Sequence, residues 1–153
     1  MIYMLVIAVI FIAELFIKDY IEAKKNEDTC QYILKKHVII RRYHNKGALL
    51  NLGENRRRVV AVVSIVFSVM MVLIFLITLT NRGNHFMKTG LALLLGGAFS
   101  NTYDRMRRKY VVDYFSFNTK FPRITAIVFN IGDFCIAIGA AMTAIAVILN
   151  PRI

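Results

Sequence analysis

After Glu54, the remaining 99 of the 153 residues (153 − 54) carry only three acidic side chains: Asp104, Asp113 and Asp133. All three fall inside one 30-residue window. Asp133 is the one charge in the run from Ile124 to Leu149. A carboxylate at mid-bilayer costs at least about 2.5–3.5 kcal/mol on insertion scales, so such residues are usually functional. Two carboxylates brought together share one proton, because both cannot ionise cheaply. One then takes a proton from water while its protonated partner polarises a carbonyl. That chemistry suits hydrolysis of a peptide bond with no metal or other cofactor.

Each acid sits in a local pattern with a structural reading beside the chemical one. Asn101, Asp104 and Arg105 are spaced so that on a helix they share one face. A local Asp–Arg pair at a helix end explains them equally well. Asp113 lies in Val111-Val112-Asp113-Tyr114-Phe115-Ser116-Phe117, a β-favouring stretch, where it could also be an exposed strand-edge acid. Asn130 and Asp133 are three apart, which also fits a helix start capped by Asn130. Singly, each structural reading competes; together they suggest paired carboxylates.

Other hydrolytic chemistries lack their parts. There is no H-E-x-x-H, and His37, His44 and His85 are scattered. There is no G-x-S-x-G and no phosphate-cradling glycine loop. Cys30 and Cys135 have no paired spacing and read as two free thiols.

The elements that must hold these acids are membrane spans. Hydrophobic residues make up 58% of the chain, against about 45–50% in soluble domains, and they sit in long runs. A span needs about 20 mostly apolar residues. Ile2–Ile17 is broken only by Glu14 and ends at Lys18-Asp19; with no basic start or small-residue cleavage site, it reads as an uncleaved first span. Val59–Leu79 has no charge and is anchored by Arg56-Arg57-Arg58. Thr89–Tyr103 contains Gly90, Gly96 and Gly97, which let helices approach closely. The last run stops at Asn150-Pro151. The expectation is one mainly α membrane domain over 1–153, a four-helix transmembrane bundle with spans about 2–17, 59–79, 89–103 and 131–149. Residues 18–58 and 104–130 would form a surface cap. Val38-Ile39-Ile40 favours β structure in that cap, and His44-Asn45-Lys46-Gly47 is turn chemistry.

Net charge is +11. Because the basic residues flank apolar runs, they point to anionic membrane lipids and not to nucleic acid.

Three segments resemble lipoprotein signal peptidase (signal peptidase II). They are Gly96-Gly97-Ala98-Phe99-Ser100-Asn101-Thr102-Tyr103-Asp104-Arg105, Tyr110-Val111-Val112-Asp113-Tyr114 and Phe129-Asn130-Ile131-Gly132-Asp133. They are similar to the family's G-G-A-x-x-N-x-x-D-R, V-V-D-[FY] and F-N-x-A-D segments, in order and at similar spacing. Asn45-Lys46-Gly47-Ala48 resembles its N-x-G-A segment. Gly132 stands where the family has alanine, and Leu49-Leu50 near its usual phenylalanine.

The resemblance implies four membrane helices with a small extracytoplasmic β-cradle in a bacterial inner membrane. It implies cleavage of lipid-modified prolipoproteins just before the diacylglyceryl cysteine, by an enzyme expected to act as a monomer. Asp113 and Asp133 carry over as catalytic residues. Asn101, Asp104, Arg105 and Asn130 carry over as supports, with Asn45 and Gly47 beside them. Asp19 matches an acid at the end of the first helix, and Lys24 loosely matches a lysine that follows it, five residues on where the family has four. Readings from other classes are a non-catalytic accessory that binds lipid or partner helices, and a small transporter using Asp133 as a proton site. The transporter would need more polar residues in its spans than the Ser64, Ser68 and Thr78 of Val59–Leu79.

Charge distribution opposes the orientation that the resemblance implies. Residues 18–58 hold 11 Lys and Arg and residues 104–123 hold 6, against three on the other side (Arg82, Lys88 and Arg152). The positive-inside rule puts the richer side in the cytoplasm. The motifs are taken over the charge count here, with the outward basic residues expected to meet anionic head groups.

Overall fold

A computed structural model describes residues 1–25, 29–47, 54–81 and 83–149. Ala48, Leu49 and Leu50 of the first motif, Arg82 of the turn and the Asn150-Pro151 stop lie outside the described residues. The fold is mainly helical. Helix α1 (Ile2–Lys24) is followed by strands β1 (Gln31–Ile33) and β2 (Val38–Asn45), then α2 (Arg57–Thr80) and α3 (His85–Arg107). Strand β3 (Val111–Phe117), the single turn α4 (Pro122–Thr125) and helix α5 (Ile131–Leu149) complete it.

Helix α3 is the axis, packed against α1, α2 and α5. Its Leu91 and Ala92 are fully buried. Small residues allow the close α3–α5 crossing: a Cβ added at Gly97 would run into the Gly132 carbonyl, and one at Gly139 into the Gly90 carbonyl. Helix α2 is apolar on nearly all sides and leaves Val62, Val66, Leu73 and Ile77 exposed, as a lipid-facing helix does. Among the described residues, α2 and α5 are long and apolar enough to cross a membrane.

The three strands form one antiparallel sheet in the order β1-β2-β3. The register pairs Val38 with Phe117 and Tyr43 with Asp113, with an irregularity between Ile40 and Tyr43. Val38-Ile39-Ile40 opens the central strand, whose β-branched residues suit a pleated, half-buried surface. A further bridge pairs Phe115 with Phe129. This bridge interrupts the apolar run that begins at Ile124, so the last helix starts only at Ile131. Phe115, Phe117, Phe129 and Phe134 close around the junction, all six ring pairs lying 5.5–6.3 Å apart. Strand β3 is thereby clamped to the start of α5.

Two helices overrun the apolar runs that mark them in the sequence. Helix α1 continues through Lys18-Asp19 because Lys18 is fully buried and neutralised inside the protein, so its charge does not end the hydrophobic segment. Helix α3 starts at His85 and ends at Arg107, with Lys88 buried against the Asn81 carbonyl at 2.5 Å.

Candidate active site

The site is assembled where β3, the start of α5 and the C-terminal half of α3 converge. Asn130 flanks α5 and forms a reciprocal capping box with Asp133. The Asp133 N–H donates to Asn130 Oδ1 at 2.9 Å, and the Asn130 N–H donates to Asp133 Oδ2 at 3.1 Å. The capping reading of this pair therefore holds, and it leaves the chemical one open. Asn130 also donates from Nδ2 to Asp113 Oδ1 at 2.6 Å. One asparagine thus touches both carboxylates and fixes their relation.

The outer oxygens are held by two further asparagines. Asn45, at the end of β2, donates to Asp113 Oδ2 at 3.0 Å. Its own Oδ1 accepts the Gly47 N–H at 3.1 Å, the side-chain turn that places Asn45 over β3. Asn101 donates to Asp133 Oδ1 at 2.8 Å. Arg105 donates to the Gly47 carbonyl at 3.1 Å and to the Asn101 carbonyl at 3.4 Å, and so ties α3 to the loop after β2. Asn45, Asn101, Arg105, Asp113 and Asp133 line one cavity of about 630 Å³. Its other walls are largely apolar, including Val63, Phe67, Ala98, Ile127, Phe129 and Ile136.

Asp104 is not part of that lining. It is fully buried, accepts the Val112 N–H at 3.1 Å, and pairs with Lys18 and Arg108, each at 3.2 Å. It anchors the strand that carries Asp113. Asp19 lies further out: its side chain is 61% exposed and pairs with Arg108. Lys24 is exposed.

The acid and lysine of α1 that reach the site are Glu14 and Lys18, whereas Asp19 and Lys24 lie outside it. Glu14 and Lys18 stand four residues apart, the spacing that Asp19 and Lys24 lack, and their side chains are 1% and 0% exposed. Lys18 Nζ lies 3.3 Å from Glu14 and donates to Ser100 Oγ and Asn101 Oδ1, both at 2.8 Å. The Asn101 carbonyl oxygen being so engaged, its NH₂ is turned toward Asp133. The signal for this pair lay in the sequence: Glu14 and Lys18 share a helix face, one inside the first apolar run and the other at its end. Tyr114 completes the network, donating to Glu14 Oε1 at 2.6 Å while accepting the Ile131 N–H at 3.0 Å. Burial, and then Glu14, raise the Tyr114 phenol, so it stays protonated.

The Asp113 carboxyl is pushed up to about 7, first by burial and then by the Asp133 charge, against the opposing pull of the Asn45 and Asn130 hydrogen bonds and Lys18. A pair that works with one proton between its members loses it as pH rises past this point. The expected result is an alkaline limb in kcat/KM near pH 7, falling about tenfold per pH unit. Stability moves in a related way. Asp113 binds its proton more tightly in the folded state, so its contribution is present below pH 3.8 and is lost as pH rises toward 7. Thermal unfolding across that range checks the sign.

Among the described residues no group of three His, Cys, Asp or Glu could hold a metal ion. The arrangement offers two carboxylates, one able to keep a proton at neutral pH, at the end of an apolar cavity.

Comparison with known proteins agrees with this chemistry. The family model described as signal peptidase (SPase) II matches residues 6–149. Lipoprotein signal peptidases of Coxiella burnetii are 34% identical over 110 residues, an alignment covering 71% of this chain and 66% of theirs. That of Halothermothrix orenii is 30% identical over 142 residues, covering 93% of this chain and 91% of its own. A bacterial membrane enzyme solved by the in meso method at 2.3 Å superposes with a TM-score of 0.82 at 22% identity, over 98% of this chain and 89% of that one. A second, at 1.9 Å, gives 0.77 at 23% identity, over 95% and 91%. At these identities the structures speak for the fold alone.

Proposed function

The chain belongs to the signal peptidase II family, and from that premise we propose that Asp113 and Asp133 are the catalytic pair of an aspartic endopeptidase. The enzyme is a membrane protein that removes the signal peptide from lipoprotein precursors. The observation that carries the assignment is Asn130, hydrogen-bonded to both carboxylates at once.

The geometry supports a two-carboxylate hydrolysis. Asp113 retains the shared proton at neutral pH, leaving Asp133 as base. Asp133 takes a proton from a water held between the pair, and the resulting hydroxide attacks the scissile carbonyl carbon. Asp113 gives its proton to the carbonyl oxygen. As the tetrahedral intermediate collapses, the C–N bond breaks and a proton passes from the pair to the leaving amine. The peptide carboxylate and the free amine of the lipid-modified cysteine are the products. Low dielectric around the buried pair strengthens each of these interactions. The apolar walls of the cavity suit a signal-peptide segment, and the diacylglyceryl chains stay in the bilayer.

In this reading α1, α2, α3 and α5 all cross a bacterial inner membrane, and the sheet stands on its extracytoplasmic face. Glu14 and Lys18 do not bar α1 from spanning, because each neutralises the other inside the bundle. Both termini then face the cytoplasm. A phosphatase fused after Ile153 is expected to be inactive, and a cytoplasmic reporter there active. Activity of the phosphatase fusion would put the aspartates on the wrong side for exported precursors.

A further inference from the structure

Tyr114 follows Asp113 on β3, and its hydroxyl has no part in the aspartate chemistry. The residue is 5% exposed, so this hydroxyl is held out of water. Phenylalanine would fill the same volume without the need to satisfy a buried polar group. The hydroxyl nevertheless has a partner on each side. It accepts the N–H of Ile131, the first residue of α5, at 3.0 Å, and donates to Glu14 Oε1 at 2.6 Å. The first N–H groups of a helix have no partner within it, so a group bound there fixes where the helix begins. Asp133 stands two residues further along, in the first turn.

Glu14 joins this contact to a second one. Through Lys18 Nζ at 3.3 Å, and from Lys18 to Asn101 Oδ1 at 2.8 Å, it reaches the amide that donates to Asp133 Oδ1 at 2.8 Å. The two routes close a ring. One runs through Tyr114 to the backbone that carries Asp133, and the other through Lys18 and Asn101 to its carboxylate. Glu14 is 1% exposed and fixed in the middle of α1.

We propose that Tyr114 is a positioning residue for the hydrolysis: its hydroxyl pins the start of α5 to the buried Glu14 of α1 and so holds Asp133 in register with Asp113. This rests on Asp113 and Asp133 being the catalytic pair. A displacement of a reacting group by about an ångström can lower a rate by two orders of magnitude. Loss of one of several ties to Asp133 has a smaller effect, and it falls on the chemical step.

The test is steady-state cleavage of a lipid-modified prolipoprotein by purified full-length enzyme in micelles, with rates expressed per folded molecule. Tyr114→Phe is expected to lower kcat five- to tenfold with KM within twofold of wild type. Glu14→Asp, which draws the acceptor back by one methylene, loses at least as much. The Tyr114→Phe/Glu14→Asp double variant is expected to match Glu14→Asp alone, because both substitutions cut the same tie. A purely structural hydroxyl would reduce the yield of folded protein and leave kcat per folded molecule at the wild-type value. That value for Tyr114→Phe, a loss residing in KM, or multiplying losses in the double variant each overturn the proposal. Should Tyr114→Phe not accumulate, Glu14→Asp is compared with Glu14→Gln, which keeps an acceptor oxygen within reach of the hydroxyl but not the charge facing Lys18: kcat lowered fivefold or more at unchanged KM by Glu14→Asp and not by Glu14→Gln supports the tie, and wild-type kcat for Glu14→Asp, or equal losses in both, overturns it. Asp113→Asn, assayed in parallel, separates the two levels. If it cleaves, the catalytic pair itself is wrong; if it is inactive while Tyr114→Phe cleaves normally, only the role of Tyr114 falls.

Discussion

Asp113→Asn and Asp133→Asn each lower cleavage of a lipid-modified precursor by roughly 10²–10⁴-fold, the contribution of a positioned acid or base. The substitutions keep the size and planarity of the side chain. Asparagine at 113 still offers an oxygen to Asn130, which donates there at 2.6 Å in the wild type. Neither amide can take a proton from water or deliver one to a carbonyl. The fold should therefore survive while the chemistry stops. At position 113 the new amide nitrogen meets the Asn45 NH₂ where an acceptor stood, a loss set against the burial that already disfavours the ionised carboxyl, so the net change in stability near neutral pH is expected to be small. The assay pairs a gel-shift measurement of precursor cleavage with a melting curve on the same preparation. Activity within tenfold of wild type for either variant is incompatible with a two-carboxylate mechanism.

Lys18→Met acts on stability before it acts on rate. Methionine keeps the length and packs well in an apolar helix, but it leaves Glu14 and Asp104 facing each other without the cation between them. In the wild type these carboxylates lie 3.3 and 3.2 Å from Lys18 Nζ, and all three side chains are at most 1% exposed. Removing one member of a buried ion pair costs about 3–5 kcal/mol, since the charge left behind lacks its counterion; here that charge is Glu14, while Asp104 keeps Arg108 at 3.2 Å. That is a large share of the roughly 5–15 kcal/mol by which a protein is folded. In detergent, the melting temperature should fall by on the order of 10 °C. Asn101 also loses the donor at 2.8 Å that orients its amide, so the folded fraction is expected to be slow as well. Adding Glu14→Gln to Lys18→Met removes one stranded charge and should recover part of the melting temperature. A shift below about 2 °C for Lys18→Met would mean that the buried charges are compensated by some other route.

That Asp113 and Asp133 come together was legible because local rules and a chemical pattern coincide there. Asn130 and Asp133 are three apart whether they cap a helix or serve a reaction, and they do the first in a way that permits the second. Asn101 and Arg105 share a helix face by spacing alone. Asn45 could be placed beside the site only through its motif, because its contact with Asp113 spans 68 residues. The register that sets Tyr43 opposite Asp113 cannot be read from either strand separately.

Lys18 and Glu14 show where one-dimensional reading stops. A charge at the end of an apolar run marks a boundary when it faces solvent, and Lys18-Asp19 looks like one. The two neighbours part company in three dimensions: Lys18 turns inward to Asp104 and Asn101, and Asp19 turns outward to Arg108. The partners that decide the matter lie more than 80 residues away. Tyr114 was hidden for a different reason. As an aromatic residue in a β-favouring run it satisfies the strand pattern completely, and nothing in the pattern distinguishes a ring that packs from a hydroxyl that ties two helices together.

The most direct measurement is mass spectrometry of a diacylglyceryl-modified prolipoprotein after incubation with the purified protein. The expected result is release of the intact signal peptide and a new N-terminus at the lipid-modified cysteine, with no such product from the Asp113→Asn protein. A precursor left whole by the folded wild-type protein, or one cut equally by Asp113→Asn, would contradict hydrolysis by this pair of aspartates.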